Sequence, residues 1–190
     1  MEHFYQDIDG MCDFEKFYKD IVANAESPAR FVEIGVYKGR SAALMAVEII
    51  NSGKDIILDC VDPWDGRAEP GHGYSYHGHA YEEFIKRMLP VAGVINAVKL
   101  PSIEAAERYD DDSLDFVFID GTHTYDAVKQ DIRAWLPKVK SGGLLTGHDY
   151  NHGAPFGPLV SVAVTELCPG HTVINDHDPA LSPVWIYKKP

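Results

Sequence analysis

At 190 residues, with 45% hydrophobic and 24% charged content, the chain has the size and composition of one globular domain that buries a real core. It has no run of about 18 apolar residues that could span a membrane, and its formal net charge of −12 argues against a nucleic-acid partner, whose phosphates call for a basic groove. The acidic opening Met1–Asp7 lacks the parts of a secretory signal, and the widely spaced Cys12, Cys60 and Cys168 form neither a CxxC pair nor an even disulfide set, so a cytoplasmic location with reduced thiols is expected.

Apolar side chains at Phe14, Phe17, Tyr18, Ile21 and Val22 recur at helical spacing and predict a helix over Phe14–Asn24, with Asp13 as its N-cap. A strand at Arg30–Ile34 follows, then a helix over about Arg40–Asn51 that Ser52-Gly53 ends. The dense apolar run Ile56–Val61 reads as a second strand, closed by Asp62-Pro63-Trp64-Asp65-Gly66. A helix is predicted at Tyr81–Leu89, a strand at Val94–Leu100 and a short helix at Ile103–Arg108. A strand at Leu114–Ile119 precedes a helix over Thr124–Leu136, apolar at Ala127, Val128, Ile132 and Trp135. Ser141-Gly142-Gly143 reads as a turn before the strand Leu144–Thr146. Val160–Cys168 reads as helical, and His171–Ile174 and Val184–Tyr187 as paired final strands.

Strands that alternate with helices, and that are continuously apolar, predict a Rossmann-like α/β fold: a mainly parallel sheet covered on both faces. In such folds ligands sit at the carboxyl ends of the strands. The residues of interest are therefore Glu33–Gly39, Asp62–Trp64, Leu100–Ser102, Asp120–His123 and His148–Asp149, all expected on one edge of the sheet.

The first set carries the most information. Gly35 and Gly39 let a ligand approach bare backbone, while Glu33 favours a cationic or hydroxyl-rich ligand over a pyrophosphate, which would want unopposed N–H groups. S-adenosylmethionine (SAM), with its sulfonium and amino groups, fits better than a dinucleotide. The alternative is a tight strand–helix turn. Asp62 can accept both ribose hydroxyls, or serve as a turn residue. Trp64 can stack on adenine or pack in the core. Ser102 can reach the adenine edge or cap a helix. Asp120 and His123 are the sharpest catalytic candidates, because imidazole is the natural base near neutral pH; the alternative is a surface histidine and a helix-capping aspartate. The run Gly71–His79, with three His and two Tyr among glycines, reads equally as a solvated loop or as a lid bearing Tyr74 and Tyr76. A zinc site of His72, His77 and His79 matches no standard spacing. Asn151–Pro158 beside Asp149 is expected to shape an acceptor pocket.

Taken together, Phe31-Val-Glu-Ile-Gly-Val-Tyr-Lys-Gly-Arg-Ser41, Val61-Asp-Pro-Trp64, Asp115–Tyr125 and Gly142–Tyr150 resemble, in order, the class I SAM-dependent methyltransferases. The chain is most similar to methyltransferase family 24, related to macrolide and aminocoumarin sugar O-methyltransferases. The resemblance covers about residues 30 to 150 and implies a seven-stranded sheet ending in an antiparallel hairpin. It implies that SAM lies across Glu33, Gly35, Tyr37, Gly39, Arg40, Ser41, Asp62, Trp64 and Ser102, its methyl toward Asp120. It also implies that Asp120 binds a divalent metal, that His123 deprotonates the acceptor hydroxyl, and that an acidic pair completes the metal site. This chain offers His148-Asp149 there, so the implied set is Asp120, His148 and Asp149. That set suits Mn, Fe or Zn as well as Mg, unless His148 points away.

The expected activity is methyl transfer from SAM to a hydroxyl of a small sugar-like or phenolic molecule, with metal assistance and a homo-oligomer as further expectations. The alternatives are a SAM-binding module without turnover, against which the Asp120/His123 pair counts, and an NAD enzyme, against which the missing Gly-x-Gly-x-x-Gly counts. The short N-terminal segment, Met1 to Ser27, is expected to leave the pocket rather open.

Overall fold

The computed structural model describes residues 1–66, 79–151, 159–175 and 182–190. Its strands are β1 (Ala29–Ile34), β2 (Ile56–Asp62), β3 (Ile95–Lys99), β4 (Leu114–Ile119), β5 (Val139–Gly147), β6 (Thr172–Ile174) and β7 (Val184–Lys188). They form one sheet in the order β3-β2-β1-β4-β5-β7-β6. The first five are parallel, with Phe31 level with Leu58 on one side and Phe116 on the other. β7 runs antiparallel to both β5 and β6, the hairpin expected at the C-terminal end.

Strand alternation divides the core into two layers. Phe31, Phe116 and Phe118 face helices α1 (Glu15–Asn24), α2 (Arg40–Ser52) and α3 (Ala80–Met88). Val32, Ile34, Val117 and Ile119 face α4 (Ser102–Ala106), α5 (Tyr125–Trp135) and α6 (Leu159–Leu167). The first layer is aromatic: Phe14 and Tyr18 lie 4.8 Å and 5.0 Å, centroid to centroid, from Phe118. Gly53 closes α2 in the left-handed conformation at φ 67°, as the sequence predicts.

Two local expectations fail. Ser141-Gly142-Gly143 is no turn before a strand but part of β5 itself. Between the pairs Leu114–Val139 and Phe116–Leu144, β5 carries surplus residues that bulge out, with Gly142 at φ 79°. The bulge stays paired, because Gly142 N donates to Lys189 O (2.8 Å) and Lys189 N to Gly143 O (2.9 Å). Asp13 is not the cap of α1. Phe14 holds the cap position without a side-chain bond, and Asp13 is engaged elsewhere.

Candidate active site

The carboxyl ends of β1 to β5 and the segment around Gly10 enclose a 770 Å³ cavity, a size ordinary for a small-ligand site. Each of the five strand-end sets contributes to its wall. The cavity is acidic: Asp9, Asp62, Asp65, Asp120, Asp131 and Asp149 line it, against Arg40 as the one Lys or Arg.

At the β2 end Asp62 is 1% exposed. Its Oδ2 accepts from Tyr37 N (2.9 Å) and its Oδ1 from Trp64 N (2.7 Å). Tyr37 and Trp64 both have positive φ, 51° and 43°, a strained conformation for bulky residues. Trp64 Nε1 further donates to Tyr37 O at 2.6 Å. Asp62 thus holds the turns after β1 and β2 together while its carboxylate stays on the cavity wall.

Several residues expected at the ligand sit behind the wall. Glu33 alternates onto the same face as Phe31, so its side chain enters the α1/α2 layer, fully buried. There Oε1 accepts from the Ser41 hydroxyl, and burial raises the carboxyl to about 8. Ser41 reaches the cavity; Glu33 stands behind it. Gly39 also lies off the wall: a Cβ there would meet Phe84 and Met88 at 2.8 and 2.9 Å. Trp64 packs 4.9 Å from Phe84 and 5.1 Å from Tyr81, the core reading rather than an adenine platform. Gly35 lines the cavity, and a Cβ there would stand 2.0 Å from Asp120 O. Arg40 lines it too, but its guanidinium donates to Ile8 O at 2.9 Å. Ser102 is no cap: it donates to Asp131 Oδ1 (2.5 Å) and accepts from Trp135 Nε1 (2.9 Å).

At the β4/β5 end the acid–base candidates converge. His123 Nε2 lies 2.9 Å from Asp149 Oδ2 and 3.3 Å from Asp120 Oδ1. Thr124, not Asp120, caps α5 by accepting from Ala127 N, which leaves Asp120 directed at the cavity. Asp120, His123 and Asp149 present ligand atoms all within 4.8 Å of one another. This corrects the expected metal set. His148 is excluded because its Nε2 turns to Asp13 Oδ1 at 2.8 Å. Burial alone would lower the His148 pKa, but the bonds to Asp13 and Asp149 and the nearby Asp120 charge raise it to about 10. It is therefore an imidazolium without a lone pair for a metal. Burial alone would raise Asp149; bonds from His123 and His148 instead hold it well below the usual carboxylate range.

Two features were not foreseen. The N-terminal segment does not leave the pocket open: Asp9, Gly10 and Met11 line it, and Asp13 ties that segment to His148 and accepts from Ser182 N (3.1 Å). Asp131 of α5 also reaches the wall. Its signal lay in the spacing, since positions 128, 131, 132 and 135 form the buried stripe of α5. The stretch 71–78, with its suggested lid and zinc ligands, and residues 152–158 lie outside the described residues.

Residues 32–150 match the family described as "Methyltransferase domain", methyltransferase family 24, more than half of the chain. The chain belongs to that family and is a SAM-dependent methyltransferase of class I. Among solved structures it is similar to a candidate rRNA methylase from Clostridium thermocellum (16% identity, TM-score 0.66, 96% of this chain and 99% of that one). It is also similar to the O-methyltransferase NovP (18%, TM-score 0.64, 93% and 78%). The curated relative y4gI of Sinorhizobium fredii is 26% identical over 130 residues, 67% of this chain. The chain spans 14% of that relative's length. Among the described residues no helix is long and apolar enough to cross a membrane.

Proposed function

We propose that this enzyme methylates a hydroxyl group of a small molecule, with His123 as the group that takes the proton. One observation carries the reading: an imidazole held between two carboxylates, 2.9 and 3.3 Å away, on the wall of the cavity. Asp62 would accept the ribose hydroxyls of SAM, the bare backbone at Gly35 would let its methionine end approach, and the acidic wall would attract the sulfonium. The acceptor hydroxyl would lie beside His123. As its oxygen forms the new bond to the methyl carbon, the carbon–sulfur bond breaks and its electron pair stays on sulfur, giving neutral S-adenosylhomocysteine. The hydroxyl proton passes to His123, and Asp120 and Asp149 stabilise the imidazolium formed, as an aspartate does in hydrolytic triads. Holding the two reactants in line supplies much of the rate. The net charge of −12 and the acidic wall support a small molecule over a phosphate polymer as acceptor.

A metal-assisted version has its own support. Two carboxylates and one imidazole form a donor set that fits a divalent ion of the Mn, Fe or Zn type better than Mg. When bound by Asp120, His123 and Asp149, such an ion would lower the pKa of the acceptor hydroxyl. The two uses of His123 Nε2 exclude each other, so chelation separates them. Turnover is read as S-adenosylhomocysteine released over a panel of phenols and sugars. His123→Ala should reduce it by about 100-fold or more with SAM affinity unchanged by calorimetry; undiminished turnover removes His123 from the reaction. Activity that survives chelation supports the metal-free route. Activity that chelation abolishes and Mn restores supports the metal-assisted one.

A further inference from the structure

Asp131 is 6% exposed, yet it lines the cavity at the end farthest from His123, among Pro101, Ser102, Ile103 and Gly121. Its Oδ1 takes the Ser102 hydroxyl proton, and Ser102 in turn accepts from Trp135 Nε1. Ser102 is thereby spent: its one hydrogen and one lone pair are committed inside the protein. The second oxygen of Asp131, Oδ2, accepts from no group among the described residues. It sits beside Gly121, where a Cβ would stand 3.7 Å from it. No cation is paired with this carboxylate. Burial raises it to about 6, only partly offset by the Ser102 bond.

A desolvated acceptor without a partner costs stability unless a ligand supplies an N–H. The strand order says which N–H. Asp62 ends β2, β3 is its outer neighbour, and α4 and α5 cover that side. A nucleoside held by its ribose at Asp62 extends its base over the turn after β3, toward Ser102 and Asp131. The edge of adenine that differs from other purines is its exocyclic amino group, a pure donor.

We infer that Asp131 is a specificity-determining residue: its Oδ2 accepts a hydrogen bond from the 6-amino group of the adenine of SAM and rejects a 6-oxo purine in its place. The inference rests on the placement of SAM proposed above and adds the group that reads its base. A 6-oxo purine would set one acceptor against another. A site built to bond a donor discriminates strongly against an analogue that lacks it.

The test is calorimetric. S-adenosylhomocysteine and its deaminated analogue, S-inosylhomocysteine, are titrated into the unaltered protein, Asp131→Asn and Ser102→Ala. The unaltered protein should prefer the 6-amino form by about 10-fold or more. Asp131→Asn, whose amide can donate to a 6-oxo group, should erase most of that preference. Ser102→Ala loses the same internal bond but keeps the carboxylate, so it should retain the preference. Equal binding of the two nucleosides by the unaltered protein overturns the role of Asp131 and leaves the SAM site standing. A preference that survives in Asp131→Asn also overturns it. If neither nucleoside binds, the placement of SAM falls with it. Should Asp131→Asn fail to fold, a crystal of the unaltered protein soaked with S-adenosylhomocysteine decides the matter. An Asp131 Oδ2 to amino nitrogen distance near 3 Å supports the inference, and an amino group facing any other residue overturns it.

Discussion

Glu33 shows how a single side chain is redirected by strand parity. At the tip of β1 it reads from the sequence as a ligand-facing acid, but alternation turns it inward against Ser41. Its proton is the consequence. Burial raises the folded pKa to about 8 from an ordinary 4.5. Between those values the folded state binds more protons than the unfolded one, so the Glu33 contribution to stability falls as pH rises from about 4.5 to about 8. Glu33→Gln, which cannot ionise, should remove that decline. Thermal melts of the two proteins should therefore diverge in favour of the variant as pH rises from 5 to 8; parallel curves would show that Glu33 does not ionise in that window. His123 and Asp131 complete the residue scale. Asp120 and His123 were legible because each follows the strand β4 closely. Asp13 and Asp131 were not. One sits in a segment whose helical pattern suggested a cap, and the other interrupts an apolar stripe as a charge more readily assigned to a solvated face.

Among the elements, the exits of β1 and β4 are pressed together at Gly35, and this contact sets the floor of the cavity. A side chain there would strike the carbonyl of Asp120 and would also have to adopt φ 85°. Gly35→Ala is expected to cost about 2–4 kcal/mol, read as a shift of the urea midpoint; a cost below about 0.5 kcal/mol would mean that the two strand ends can part. Strands β1, β2 and β4 and helices α2 and α5 were plain in the sequence because their apolar residues keep one period throughout. β5 was cut short because Gly142 and Gly143, residues that break most strands, here serve a bulge closed by Lys189 from the far end of the chain. A sequence window that sees only neighbours has no access to that pairing.

For the whole molecule, charge is the property with the widest reach. A net charge of −12 and a cavity rimmed by carboxylates make a poor surface for a phosphate polymer, although a fold neighbour is described as an rRNA methylase. A labelled rRNA helix should show no saturable binding at about 50 mM salt. Binding that weakens steeply with added salt would contradict the proposed acceptor class. The order of the sheet and the edge that bears the site followed from the alternation of strands and helices. The closing of the cavity by residues 9–11 did not, because that segment has no period of its own and is held by Arg40, Asp13 and their distant partners.

The grip of Asp62 on two backbone amides has a broader implication. One carboxylate serves both as masonry for a pair of loops and as a handle for a sugar, so the two duties cannot drift apart. Any descendant that traded the nucleoside for an unrelated guest would first need another keystone for positions 37 and 64. Ancestry is thereby locked into this corner of the fold more firmly than at the rim where acceptors enter.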